Sequence, residues 1–238
     1  GGDQNVKGRG GYIGKDGVLY GDLYIQGCGD PTLGSEYGTR RVFDFRNRLL
    51  KELENAGIHR IEGCIIADDS RFDTEGVSPK WLWEDVGNYF AAGCYGINYR
   101  DNTYRLILRS GAKGSTPVII GVEPEISGLS FSNHLVSSSN AIDSAYIYGA
   151  PFSLRRYIYG SIPEKQDRFV IKGDLPDPAL FFANEMASFL ASRIKVTGTP
   201  VTMRILNENN KTKPLSDRSM LFRYSSDRLS DIIRIVNH

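Results

Sequence analysis

Residues 61–97 read IEGCIIADDSRFDTEGVSPKWLWEDVGNYFAAGCYGI, and the reading of the whole chain turns on them. Ile65 and Ile66 carry an apolar run into Asp68, Asp69 and Asp73, the pattern of a buried strand whose end delivers carboxylates to a surface. Pro79, Trp81, Trp83, Asp85, Tyr89, Ala91 and Ala92 follow in a segment with too many breakers to be one long helix. Its large flat side chains are spaced so that they can line a groove.

Upstream, Asp22-Leu23-Tyr24-Ile25 is β-prone and ends in Gly27-Cys28-Gly29, a strand followed by a tight turn that Asp30-Pro31-Thr32-Leu33 continues. From Arg40, apolar Val42, Phe43, Phe45, Leu49, Leu50, Leu53 and Ala56 recur at helical spacing with charged residues opposite, and Gly57 stops the helix. Gly63 to Ala67 is the next strand. Strand, helix and strand over residues 20–67 make a βαβ unit, which favours a parallel pair. Residues 1–18, rich in glycine and charge, carry no clear signal.

Downstream the pattern changes. Residues 103–108, 118–122, 145–148 and 168–171 are short β-prone pieces separated by glycine, serine, proline and asparagine, as in an antiparallel sheet or small sandwich. Asp177-Pro178 then opens a helix with Leu180, Ala183, Ala187, Leu190 and Ile194 on one side and Gly198 at its end. Residues 201–206 read as a strand, 207–218 as a polar loop, and Ser225-Ser226-Asp227 as the cap of a helix bearing Leu229, Ile232, Ile233 and Val236. The expected fold class is α+β: a βαβ-containing α/β domain built from 1–95 and 174–214, with an antiparallel β-sandwich-like domain, 96–173, inserted in it.

Composition narrows the function classes. The 238 residues are 40% hydrophobic and 24% charged, which argues against disorder. Lysine plus arginine number 29 against 28 acids, so no field of one sign points to nucleic acid or a membrane surface as partner. No apolar run is long enough for a spanning helix. Cys28, Cys64 and Cys94 lack C-x-x-C spacing and read as small, half-buried thiols. With only His59, His134 and His238 beside them, no metal-ligand spacing is present and no cofactor is expected.

GDPTL at 29–33, taken with the order and spacing of residues 61–97, resembles the D-alanyl-D-alanine carboxypeptidase/endopeptidase family, the class C low-molecular-mass penicillin-binding proteins whose catalytic domain carries large inserted domains. The resemblance implies a serine hydrolase parent acting on peptidoglycan stem peptides in the periplasm or outside the cell. Such chemistry uses S-x-x-K, S-x-N and K-T-G together. K-T-G is absent here. Ser110 to Lys113 fits S-x-x-K in a glycine-bearing turn, Ser192 to Lys195 fits it at the wrong end of a helix, and Ser138-Ser139-Asn140 fits S-x-N in a polar loop. Each is expected to be a decoy. The chain is therefore read as two accessory domains forming one wall of the substrate cleft, inactive alone. Residues 215–238 start the return to a catalytic domain that is its partner.

The resemblance also assigns one residue. Phe72-Asp73 matches the pair whose aspartate binds the free amino group of the stem peptide, a role that suits a localised carboxylate. The bland reading of Asp73 is a turn or cap residue. Trp81, Trp83 and Tyr89 are candidate groove residues, although tryptophans more often anchor cores or domain interfaces, and Asp85 reads as a local cap. Two rivals remain. A nucleotide-binding βαβ domain is disfavoured because Thr32 stands where G-x-G-x-x-G needs its third glycine and Pro31 interrupts the helix start. A stand-alone module contacting glycan, peptide or protein without catalysis is the other.

Overall fold

The computed structural model describes residues 3–9, 11–37, 42–140, 142–209, 211, 218–226, 228 and 230. The chain forms two units: one of residues 1–76, 94–101 and 178–238, the other of residues 77–93 and 102–177. In the first unit the strands are β1 (Asp3–Arg9), β2 (Val18–Tyr20), β3 (Leu23–Gln26), β4 (Arg60–Glu62) and β5 (Ile65–Asp68). The second unit holds β6 (Thr103–Arg109), β7 (Val118–Glu123), β8 (Ser130–Ser138), β9 (Tyr146–Tyr148), β10 (Arg155–Pro163) and β11 (Phe169–Asp174). The first unit resumes with β12 (Lys195–Val196), β13 (Val201–Thr202) and β14 (Arg218–Ser225), and it carries helices α1 (Val42–Asn55), α2 (Pro178–Leu190) and α3 (Met203–Glu208).

The first unit is a five-stranded sheet in the order β13-β5-β3-β1-β14, with β3, β5 and β13 parallel and β1 antiparallel to both neighbours. A second sheet, β12-β4-β2, is parallel throughout. The expected βαβ unit is present, since α1 joins β3 to β5 and the two strands pair in parallel. Phe45, Leu49 and Leu53 of α1 are fully buried, and the Phe45 ring packs 5.8 Å from Phe182 of α2 and 5.3 Å from Tyr224 of β14. Burial of each such side chain is worth about 1.5–3 kcal/mol. Gly57 ends α1 at φ +71, with Ile58 N–H donating to the Leu53 carbonyl and Gly57 N–H to that of Glu54. Two of the carbonyls that the helix end orphans are thereby satisfied.

Several expectations need correction here. Residues 201–206 are not one strand: β13 stops at Thr202, whose hydroxyl accepts from Ile205 N–H and caps α3. A local cap outweighed the β-branched composition. α2 ends at Leu190, and Ile194 is buried from the turn that follows rather than from the helix. The uninformative N-terminus holds β1, and Arg218, assigned to the polar loop 207–218, opens β14, while residues 210 and 212–217 of that loop lie outside the described residues. These two strands pair with each other, a long-range partnership that no local pattern announces. The helix expected after Ser225 falls mostly on residues 227, 229 and 231–238, so Leu229, Ile232, Ile233 and Val236 lie outside the described residues.

The second unit is two three-stranded sheets, β8-β10-β9 and β11-β6-β7. Its core includes Leu106, Leu108, Leu135, Ile147, Ile158 and Ile162. Four strands fall where the β-prone pieces stand. β8 and β10 were not anticipated, because serine, asparagine, arginine and glycine interrupt their hydrophobic alternation. Their mutual pairing is parallel over nine residues, whereas the other pairings within the unit's two sheets are antiparallel as expected.

Beneath β10, the side chain of Arg156 is fully buried and pairs with Asp174 of β11 at 2.8 Å. Its guanidinium also donates to the carbonyl of Ala150 at 3.0 Å. A Cβ on Gly149 would lie 2.0 Å from that guanidinium, so only glycine leaves room for it.

Candidate functional site

The aspartates at the end of β5 do not share one role. Asp68 is fully buried: one oxygen accepts from Ser70 N–H at 3.2 Å and the Ser70 hydroxyl at 2.5 Å, while the other accepts from Arg218. The Arg218 guanidinium lies 3.7 Å from the centre of the Tyr24 ring, so Asp68 joins the end of β5 to β14. Asp69 is buried too. Of the three carboxylates expected at a surface only Asp73 reaches it, because Asp68 and Asp69 stand on or just past the strand while Asp73 lies in the loop beyond. The Asp73 carboxylate accepts from Glu75 N–H at 3.2 Å, an Asx turn that fixes its direction and leaves oxygen lone pairs open to solvent.

The turn at Gly27 and Gly29 braces this loop. Gly27 N–H donates to the Asp68 carbonyl, Gly29 N–H to that of Gly96, and a Cβ on Gly27 would sit 2.2 Å from the Gly96 oxygen. Gly29 has φ +78, and the Phe72 ring packs over it. Asp30, buried, accepts from both the N–H and the hydroxyl of Thr32. The glycines shape a turn, and no helix starts among the described residues 27–37. That removes the anion-binding geometry a nucleotide site needs.

Trp81, Trp83 and Tyr89 belong to the second unit and Asp73 to the first. Trp81 is 42% exposed, Trp83 62% and Tyr89 55%, so none of them is a core anchor. Leu82 and Phe90 are exposed beside them, with the Phe90 ring edge-on to Tyr89 at 5.4 Å. The segment that carries them is tied to β9 by Asn88, which the sequence pattern did not single out. Its side chain donates to the carbonyls of Glu84 and Asp85, and it accepts from Ile147 N–H of β9 at 2.9 Å. Gly87, at φ +112, would place a Cβ 2.4 Å from the Ile147 oxygen. The Gly87-Asn88 dipeptide was the available signal.

The serine–lysine matches are engaged elsewhere. Ser110 is buried, its hydroxyl donating to the Pro163 carbonyl at 2.6 Å and accepting from Gln166 N–H at 2.9 Å, while Lys113 is exposed. The Ser192 hydroxyl donates to the Phe189 carbonyl in the turn after α2, and Lys195 stands in β12. Ser138 accepts from Asn140 N–H. The three cysteines form no disulfide; Cys28 and Cys64 are half-buried as expected, while Cys94 departs from expectation in being exposed. Among the described residues no cluster of histidine, cysteine, aspartate and glutamate is placed to hold a metal ion, and no helix is long and apolar enough to cross a membrane.

Residues 9–238 match the D-Ala-D-Ala carboxypeptidase 3 (S13) family. The chain belongs to that family. Its fold is similar to the crystal structure of penicillin-binding protein 4 from Haemophilus influenzae, with a TM-score of 0.73 at 19% identity over 98% of this chain and 48% of that one. A second structure of the same H. influenzae protein, complexed with a β-lactam, matches at a TM-score of 0.59 and 16% identity, over 98% of this chain and 45% of that one. The S13 chain described here thus spans about half the length of the penicillin-binding proteins it matches.

Proposed function

We propose that this chain is the accessory region of a penicillin-binding serine D-Ala-D-Ala carboxypeptidase/endopeptidase that works on peptidoglycan stem peptides outside the cytoplasmic membrane. The observation that carries the reading is the Asp73 carboxylate, held by its Asx turn on the loop leaving β5 and open to solvent. It meets the charge of a free amine on the peptide side chain, and a pair partly desolvated by bound substrate discriminates better than one in open water. Trp81, Trp83 and Tyr89 of the second unit offer exposed aromatic surface for apolar contact with peptide. The reactive serine and lysine reside in polypeptide beyond these residues, because Ser110 and Ser192 already have other hydrogen-bond partners and K-T-G is absent from the chain. By itself the chain does not hydrolyse peptides.

The test uses a protein carrying both this region and the catalytic motifs. Asp73→Ala is expected to lower kcat/KM for stem peptides with a free side-chain amine by about tenfold to a hundredfold, and for their N-acetylated forms by less than about twofold. Equal losses on both substrates overturn the assignment.

A further inference from the structure

The solvent face of the β8-β10-β9 sheet is not an ordinary polar surface. Tyr157 and Tyr159 of β10 point outward, in register with Tyr148 and Tyr146 of β9 on one side and with Ser132 and His134 of β8 on the other. Tyr146, Tyr157 and Tyr159 are 37–46% exposed. The His134 ring stacks on Tyr159 at 4.7 Å and 13°, Tyr148 meets Tyr159 edge-on at 5.8 Å, and the Arg155 guanidinium lies 5.4 Å from the Tyr157 ring centre. Among the described residues none of the four tyrosine hydroxyls is hydrogen-bonded to the chain.

We propose that this face binds a glycan strand bearing carboxylates. Aromatic rings offer flat surfaces for the C–H faces of sugar rings, and phenolic hydroxyls both donate and accept toward sugar hydroxyls and amides. The platform is rigid, since Leu135, Ile147 and Ile158 alternate into the core beneath it and the Arg156–Asp174 pair ties β10 to β11. Charge selects the occupant. β8, β9 and β10 contain no aspartate or glutamate, and Arg155, with no carboxylate partner among the described residues, shares the face with His134. A ligand carrying sparse carboxylates complements that face. A nucleic acid does not, because two cations at most release about 0.7 counterion per phosphate each on a single strand and supply little affinity. The proposal rests on the cell-wall reading above only for the kind of sugar, N-acetylated and carboxylate-bearing.

The test titrates the chain with a peptide-free oligosaccharide of alternating N-acetylglucosamine and N-acetylmuramic acid, followed by calorimetry and NMR. Chitohexaose serves as the neutral control and poly(U) as the nucleic-acid control. Saturable binding of the muramate oligomer is expected, weakened about tenfold or more in Tyr157→Ala/Tyr159→Ala. Arg155→Gln is expected to remove most of the preference over chitohexaose. Tyr159→Phe, which keeps the ring stack, and an unchanged tryptophan emission spectrum show that any loss is local. Asp73→Ala must leave this affinity unchanged, as the ligand has no amine for it to bind, so the glycan result and the stem-peptide result fail independently. Absence of saturable binding, equal binding by the double variant, or tighter binding of poly(U) overturns the proposal.

Discussion

The buried Arg156–Asp174 pair makes the stability of the second unit depend on pH in a direction opposite to ordinary acid denaturation. Asp174 is nearly inaccessible, with 4% of its side chain exposed, and Arg156 has none. Burial raises the Asp174 pKa from 3.8 to about 6, more than the nearby guanidinium lowers it. Between those values the folded chain holds a proton that the unfolded chain has released. Stability from this group is therefore fully present below about pH 4 and is lost as pH rises toward about 6. At about 1.4 kcal/mol per pKa unit the loss approaches 3 kcal/mol. Both tryptophans, Trp81 and Trp83, lie in this unit, so urea unfolding followed by tryptophan emission reports on it. Asp174→Asn keeps an oxygen for Arg156 but cannot ionise, and it is expected to flatten the curve between pH 4 and 6. Arg156→Met removes the cause that lowers the pKa, so the fall moves above pH 6, with a cost of about 3–5 kcal/mol at pH 7.5. An Asp174→Asn variant that keeps the parent's slope, or an Arg156→Met variant whose curve does not move, refutes the reasoning.

In the first unit, Asp68→Ala strands the buried Arg218 guanidinium and is expected to cost about 3–5 kcal/mol in urea unfolding followed by circular dichroism. A cost below about 1 kcal/mol contradicts the packing described. Gly87→Ala combines left-handed backbone with a 2.4 Å clash against Ile147, and a destabilisation of about 2 kcal/mol or more is expected. Its signature is a changed amide environment at Ile147, visible by NMR. Trp81→Ala and Trp83→Ala, made singly, should each leave stability within about 0.5 kcal/mol, because both rings are exposed. A larger loss in either restores the anchor reading.

What the sequence disclosed follows from how local each signal is. α1, its glycine stop and the parallel strands on either side of it were readable because a heptad-like apolar stripe and a Schellman turn are written within a few residues. β1 and β14 were not, since they pair with each other across the length of the chain, and β1 with β3 besides. β8 and β10 were hidden because Ser132, His134 and Arg155 on their outer face and Asn133 on the inner one break the apolar alternation. At the site, Asp73 was visible as a carboxylate past the end of a strand. That Asp68 would be spent on Arg218 was not, because its partner lies 150 residues away. Trp81 and Trp83 were legible as a cluster and not as an exposed one, since the segment that carries them is tied by Asn88 to β9, 59 residues further along the chain.

The central claim, an accessory region whose parent acylates at a serine elsewhere, is tested most directly by fluorescent penicillin. The chain of 238 residues and a longer protein that includes the serine–lysine motif are incubated side by side and the label is mapped by mass spectrometry. The account predicts label on the longer protein alone, at a serine outside these residues. Label on Ser110 or Ser192 of the short chain, or none on the longer protein, contradicts it.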